Sequence, residues 1–131
     1  MKITITSIQP PHTANIFSGK KTVEWRTKPL PIGEHHVYET KKNNGAGMIT
    51  GKMQIIRNYF FNNVEEIPEY WIKKGCVSRC FLEKYAGAGR IYANVILDPV
   101  KFEIPRHISS YRKKDGTRIY QPPQSYMYAE V

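Results

Sequence analysis

The sequence predicts a mainly β domain of the α+β class, an antiparallel or mixed barrel of about six strands with short helices packed at its side. Segments in which apolar and polar residues alternate recur at modest spacing, as in residues 2–8, and a period of two is typical of half-buried strands. The helical segments are inserted between strands and do not follow each one, which argues against a doubly wound sheet. The 131 residues, 40% of them hydrophobic, suffice for one core, so we expect a single domain over residues 1–131.

The first half of the chain contains four predicted strands and one helix. Pro10 or Pro11 opens a short helix that runs to Phe17 and ends at Gly19. Gly51 interrupts the last of the strands, and we expect a bulge or a bend that closes the barrel there. The strands are predicted at residues 2–8, 22–27, 36–40 and 48–60, with loops at 28–33 and 41–47.

The second half begins with two predicted helices. Pro68 starts the first, which ends at Gly75, and Ser78 caps the second, which runs to Gly87. A strand at residues 90–97 is expected to break at Asp98-Pro99 before the alternation resumes at residues 100–104. Asp115-Gly116 predicts a two-residue hairpin turn near the end of the chain.

The charge of the chain is unevenly distributed. It carries 20 Lys and Arg residues against 11 Asp and Glu, a net charge of +9, and the excess lies in residues 1–60 and 101–131. A surplus confined to segments that pack together indicates a basic face for a polyanion such as a nucleic acid. A generally basic surface is the alternative interpretation.

Neither a membrane segment nor a metal site is predicted. The first residues alternate and lack the apolar run of a signal peptide, and no apolar stretch approaches membrane-spanning length. We therefore expect a soluble, cytoplasmic protein with no membrane partner. Cys76 and Cys80 form a C-x3-C pair with no second pair, a poor zinc site, and are expected to be reduced thiols. His35-His36 has no partner at metal spacing, and we expect no cofactor.

The most informative segment is residues 19–26, Gly-Lys-Lys-Thr-Val-Glu-Trp-Arg. At the period of a strand, Glu24 and Arg26 lie on one face and Val23 and Trp25 on the other. The polar face therefore carries a Glu/Arg pair, which either closes the structure as an ion pair or belongs to a site. Lys21, at the turn from helix to strand, is placed to present an ammonium to a phosphate or to act as a base.

The order of these pieces resembles a known family. The first strand ends in Ile8-Gln9-Pro10, the helix ends in Ile16-Phe17-Ser18-Gly19, and Lys21, Glu24 and Arg26 then follow in a G-x-K-x-x-E-x-R arrangement. Tyr38-Glu39-Thr40 and the closing residues 122–128 complete the pattern. It is similar to the ASCH domain (activating signal cointegrator homology) of the PUA-like superfamily, over nearly the whole chain. The resemblance implies a compact β-barrel and a cleft lined by the Lys, Glu and Arg of the motif.

The resemblance also implies RNA binding, because ASCH and PUA-like domains are generally thought to bind RNA. We expect RNA or a nucleotide-like ligand in a basic cleft, with aromatic side chains at its edge available to stack bases. Trp25, Phe81 and Phe102 follow the apolar pattern and are expected in the core instead. The candidate binding residues are Lys20, Lys21, Glu24, Arg26, Tyr38, Lys41, Lys42, Gln124, Ser125 and Tyr126, with Lys113 and Lys114 as further contacts to the nucleic-acid backbone.

Two other functions stay open. Some small members of the family resemble enzymes that deacetylate acetylcytidine or cleave RNA, so a cofactor-independent hydrolase using Lys21 and Glu24 is the first alternative. Lys21 matches the lysine of the amidohydrolase branch, but Glu24 stands where that branch has a threonine, and residues 71–76 lack its distal acid. We therefore expect acetylcytidine hydrolysis to be absent or very weak. The second alternative is a protein-interaction module whose basic face meets an acidic partner.

Overall fold

A computed structural model describes all residues, 1–131. The predicted number of about six strands is confirmed, and the three predicted helices are present with small shifts of their ends. Residues 126–130 form a strand that the sequence pattern does not predict. In chain order the elements are β1 (Lys2–Ile8), α1 (His12–Phe17), β2 (Val23–Arg26), β3 (Gly33–Glu39), β4 (Met48–Phe61), α2 (Glu69–Lys73), α3 (Arg79–Ala86), β5 (Ile91–Arg106) and β6 (Tyr126–Glu130). None of the helices is long and apolar enough to cross a membrane.

All six strands form one sheet in the order β2-β5-β4-β3-β1-β6. Neighbouring strands are antiparallel except β1 and β3, which run parallel. The edge strands β2 and β6 are not hydrogen-bonded to each other, so the predicted barrel is not closed by a backbone ladder. The gap that this leaves beside β2 is where the candidate site lies.

The long hairpin of β4 and β5 corrects one prediction. The sequence predicts a break at Asp98-Pro99, whereas β5 runs without interruption through residues 91–106. Asp98 takes a positive φ of 52°, and the pairing with β4 shifts register nearby, so the break is a bulge within one strand. The bulge predicted at Gly51 is confirmed by a register shift between Ile49 and Gly51.

Apolar side chains lie on both faces of the sheet. Helices α2 and α3 cover β2 and β5, and they bury Trp25 together with Ile72 and Leu82. Helix α1 packs Ile16 against the opposite side of the sheet. The prediction that Phe81 lies in the core is wrong, because α3 turns the neighbouring Leu82 inward and leaves Phe81 47% exposed.

The segment before β6 is tied to the sheet by few regular hydrogen bonds. The predicted turn at Asp115-Gly116 is present, with Gly116 at a φ of 89°. The Lys113 amide donates to the Thr117 carbonyl across it at 2.8 Å. Its flanks make two isolated bridges, from Arg112 to Arg118 and from Arg112 to Glu130 of β6, so the predicted hairpin does not extend into two strands.

Two buried histidines hold β3 to its surroundings. His35 Nε2 lies 2.6 Å from the Pro31 carbonyl and must donate to it, so His35 Nδ1 accepts from the Thr6 hydroxyl at 2.5 Å. His36 lies 2.6 Å from the Tyr111 hydroxyl and 2.9 Å from a Glu34 carboxylate oxygen. Burial lowers the pKa of both imidazoles below the ordinary 6.5, in His36 against the opposing effect of Glu34.

These histidines predict acid-sensitive stability. Below pH 6.5 the unfolded chain takes up protons at His35 and His36 that the folded protein resists, so the melting temperature should fall as the pH drops from 7.5 to 5.5. In His35→Gln the fall should be shallower, whereas His107→Gln, at an exposed histidine, should leave the pH slope as in the parent. A melting temperature that stays constant over this range would contradict the account; thermal denaturation followed by circular dichroism measures it.

Candidate functional site

A cleft of about 590 Å³ opens at the free edge of β2. Its floor is the end of β1 and the strand β2, and its walls come from the start of α1, from α3 and from the residues before β6. The G-x-K-x-x-E-x-R segment therefore lies in the gap that the sheet leaves open. Polar and charged side chains dominate the lining, since only five of the 17 lining residues are hydrophobic.

Three charged side chains of the motif form one buried cluster. The Lys21 ammonium lies 3.2 Å from Glu24 Oε1 and donates to the Gly75 carbonyl at 2.6 Å. Arg26 Nε donates to the other carboxylate oxygen of Glu24 at 2.8 Å. Lys21 is 2% exposed and Glu24 7%, so the ions are shielded from water and must be held by one another.

The backbone explains how Lys21 reaches this position. Gly19 ends α1 with a φ of 85°, a conformation that suits glycine. The Lys21 amide then donates back to the Asn15 carbonyl at 2.9 Å, and the amides of Thr22 and Val23 both donate to the Lys74 carbonyl. The start of β2 is thereby fixed to both α1 and the end of α2, which brings Lys21 under the Gly75 carbonyl.

Arg26 joins the open edges of the sheet. Its two terminal nitrogens donate to Ser125 Oγ at 3.0 Å and to the Ser7 carbonyl at 2.9 Å. Ser7 and Ser125 are themselves linked by a backbone hydrogen bond of 3.0 Å. The Arg26 side chain thus connects β2 with β1 and with the residues before β6. No backbone hydrogen-bond ladder joins β2 to either of them. Three of the five guanidinium hydrogens are used, and two remain for a ligand.

The cleft has a positive electrostatic balance. Burial opposes ionisation of Glu24, but the charges of Lys21 and Arg26 outweigh it and lower the pKa of Glu24 below its ordinary 4.5. At neutral pH the lining therefore carries one carboxylate against four cations, which are Lys21, Arg26, Lys28 and Lys42. The resulting charge of +3 in a concave, partly desolvated site attracts anions.

Three residues that line the cleft have a buried side-chain atom with no hydrogen-bond partner within the protein. These atoms are His12 Nδ1, Thr40 Oγ1 and Trp25 Nε1. Burial, assisted by the nearby charges of Lys21 and Arg26, lowers the pKa of His12 below 6.5, so His12 is neutral at physiological pH. Buried polar atoms are costly to leave unpaired, and a ligand or water in the cleft would satisfy His12 Nδ1 and Thr40 Oγ1.

An aromatic pair on α3 forms one wall. The rings of Phe81 and Tyr85 are nearly parallel, 8° apart, with centroids 6.2 Å from each other. They are 47% and 43% exposed, and the Tyr85 hydroxyl accepts from the Thr27 amide at 3.3 Å. Sequence analysis missed this wall because the apolar pattern placed Phe81 in the core. The i, i+4 spacing of Phe81 and Tyr85 was the available signal.

The structure brings together six of the ten candidate binding residues. Lys21, Glu24, Arg26, Lys42, Gln124 and Ser125 line the cleft. Lys20, Lys41 and Tyr126 do not line it, and neither do Lys113 and Lys114, which lie in the turn before β6. Tyr38 is only 6% exposed and packs in an apolar cluster with Ile49 and Tyr111, so this side chain stabilises the core and is closed to a ligand.

Comparison with solved structures identifies the fold. No family model and no curated protein matches the sequence. The crystal structure of ASCH from Zymomonas mobilis superposes with a TM-score of 0.76 at 22% identity, covering 96% of this chain and 86% of that one. Two variants of that protein also match with TM-scores of 0.76. The serine-to-alanine variant is 21% identical, and the match covers 96% of this chain and 87% of that one. The tyrosine-to-phenylalanine variant is 22% identical, and the match covers 98% of this chain and 90% of that one. The resemblance to the ASCH domain is therefore confirmed as a likeness of fold.

Proposed function

We propose that the protein binds RNA or a nucleotide in the cleft around Lys21, Glu24 and Arg26. The observation that carries the proposal is the buried cluster of these three side chains, whose surplus positive charge faces a cleft with an exposed aromatic wall. Cations alone would suit any polyanion. Parallel aromatic rings beside them suit a ligand that also has planar bases.

The unused donors of the cluster suggest where a phosphate lies. An ammonium has three hydrogens, and Lys21 uses two of its own on Glu24 and the Gly75 carbonyl. Its third hydrogen and the two spare hydrogens of Arg26 are available to phosphate oxygens. Glu24 fixes both cations before the ligand arrives, which lowers the cost of ordering them on binding.

Lys28 and Lys42 are expected to act differently from the cluster. Both line the cleft, both are exposed, and no protein partner fixes either ammonium. Mobile point charges of this kind attract the phosphate backbone without fixing its geometry. They should therefore contribute to affinity mainly through release of counterions.

Binding should depend steeply on salt. We expect the parent protein to bind a fluorescein-labelled single-stranded RNA at 50 mM salt, with a slope of log K against log salt of roughly −0.7 for each phosphate neutralised. Lys42→Ala should make the slope less steep by about one such increment. Lys101→Ala, which removes the same charge outside the cleft, should change it less. Absence of binding at low salt, or affinity that ignores salt, would refute the proposal; fluorescence anisotropy gives both values.

A second candidate function is cleavage of RNA, and His12 is the observation that favours it. Attack by a ribose 2′-hydroxyl on the adjacent phosphorus needs a neutral base to take the hydroxyl proton and cations to stabilise the charge that develops. His12 is a neutral imidazole with an unpaired nitrogen, in the same cleft as Lys21 and Arg26. The products would be a 2′,3′-cyclic phosphate and a 5′-hydroxyl that takes its proton from water.

His12→Gln separates this candidate from binding alone. If the protein cleaves RNA, the variant should lose at least about 100-fold in rate, the usual contribution of a general base, and should keep most of the affinity. The parent rate should rise with pH and level off below pH 6.5, since burial lowers the pKa of His12. Equal rates in parent and variant preparations would assign the cleavage to a contaminant or to other residues. Electrophoresis of a labelled oligonucleotide measures the rate.

A further inference from the structure

A row of side chains continues from the cleft across three strands. Arg26 on β2 pairs directly with Tyr92 on β5, and Tyr92 pairs directly with Phe60 on β4. Residues directly opposite in antiparallel strands have their side chains on the same face. Arg26, Tyr92 and Phe60 therefore form one row, which begins at the floor of the cleft and spans about 10 Å at the usual strand spacing.

The outer part of this row is exposed and aromatic. Phe60 is 56% exposed, and its ring centroid lies 6.1 Å from that of the half-buried Tyr92. The guanidinium of Arg90 lies over Phe60, 5.0 Å from the ring centroid. An exposed pair of rings on adjacent strands with an arginine beside it has the chemistry that stacks bases and neutralises a phosphate.

These rings are not required to pair the polar groups of the neighbouring row, because that row forms its own hydrogen bonds. That row consists of Glu24, Asn94 and Asn58, opposite one another on the same three strands. Asn94 donates to the Glu24 carbonyl at 3.0 Å, and Asn58 donates to Asn94 Oδ1 at 2.6 Å. Hydrogen bonds between amide side chains thus occupy the neighbouring row. The row of Arg26, Tyr92 and Phe60, two residues further along the strands on the same face, takes no part in this network.

We infer that Tyr92, Phe60 and Arg90 form a second subsite for a single-stranded nucleic acid whose phosphate lies in the cleft. The inference rests on the proposed function and extends it: the ligand is an oligonucleotide and not a free nucleotide. Continuity with the cleft through Arg26 and the charge of Arg90 favour a polyanion over a second copy of this chain, which carries a net charge of +9.

Length dependence tests the subsite. Adenosine monophosphate and single-stranded oligoadenylate RNA of two, four and six nucleotides are titrated into the parent protein, Phe60→Ala, and the control Tyr120→Ala, which removes a 71% exposed ring outside the row. We expect affinity to rise with length in the parent. Phe60→Ala should weaken the hexamer roughly tenfold and leave the monophosphate within about twofold, as expected for loss of one stacked base. Tyr120→Ala should behave as the parent.

The outcomes separate the subsite from the proposed function. One outcome is that the monophosphate binds in a way that Lys21→Ala abolishes, while the hexamer binds the parent no more tightly than the monophosphate does. This result would refute the subsite and support binding in the cleft. If neither ligand binds, the proposed function fails. Hexamer binding that depends on Phe60 but not on Lys21 would refute the continuity of the two sites. A dimer in the parent that Phe60→Ala dissociates, measured by analytical ultracentrifugation, would assign the row to self-association and overturn the inference.

Discussion

The structure around the cleft depends on the carboxylate of Glu24, which holds two cations in a place from which water is excluded. A lone buried charge is costly, and removing one partner of a buried pair typically costs about 3–5 kcal/mol. Lys21 and Arg26 both satisfy Glu24, and each has a further backbone acceptor, the Gly75 carbonyl for Lys21 and the Ser7 carbonyl for Arg26. The same contacts fix β2 to the turn after α2 and to β1, so one cluster positions the elements that surround the cleft.

This cluster also explains why the unclosed sheet contains an open cleft. A ladder between β2 and β6 would occupy the backbone groups of β2 and fill the gap with paired strands. Arg26 joins the edges through its side chain instead, which leaves space beside Lys21 and Glu24 for a ligand. Because the cluster has one more positive than negative charge, it attracts anions while staying internally paired. The structural and the functional interpretation of the Glu24/Arg26 pair are therefore compatible.

Much of the fold and half of the site were accessible from the sequence. Alternation located five of the six strands, although it divided β5 at Asp98-Pro99 and missed β6. Glycine, proline and serine marked the helix ends. The G-x-K-x-x-E-x-R spacing placed Glu24 and Arg26 on one face. The local pattern does not predict the hydrogen-bond partners of Arg26 across the gap. These are Ser7 and Ser125, and Ser125 is 99 residues away in the sequence. His12, Phe81 and Tyr85 were missed because the packing of α1 and α3 decides which of their side chains face the cleft. Tyr38 was expected at the cleft, but it is buried by the segment around Tyr111, and the sequence of β3 alone does not show this contact.

The measurement that tests the account most directly is the free energy of unfolding of Arg26→Lys in urea, compared with the parent. Lysine keeps the charge but has no planar fork, so it cannot contact Glu24, Ser7 and Ser125 at the same time. With about 1.5–3 kcal/mol for each hydrogen bond that involves a charged group, we predict a loss of at least about 2 kcal/mol. A stability equal to that of the parent would contradict the claim that the Arg26 side chain joins the edges of the sheet.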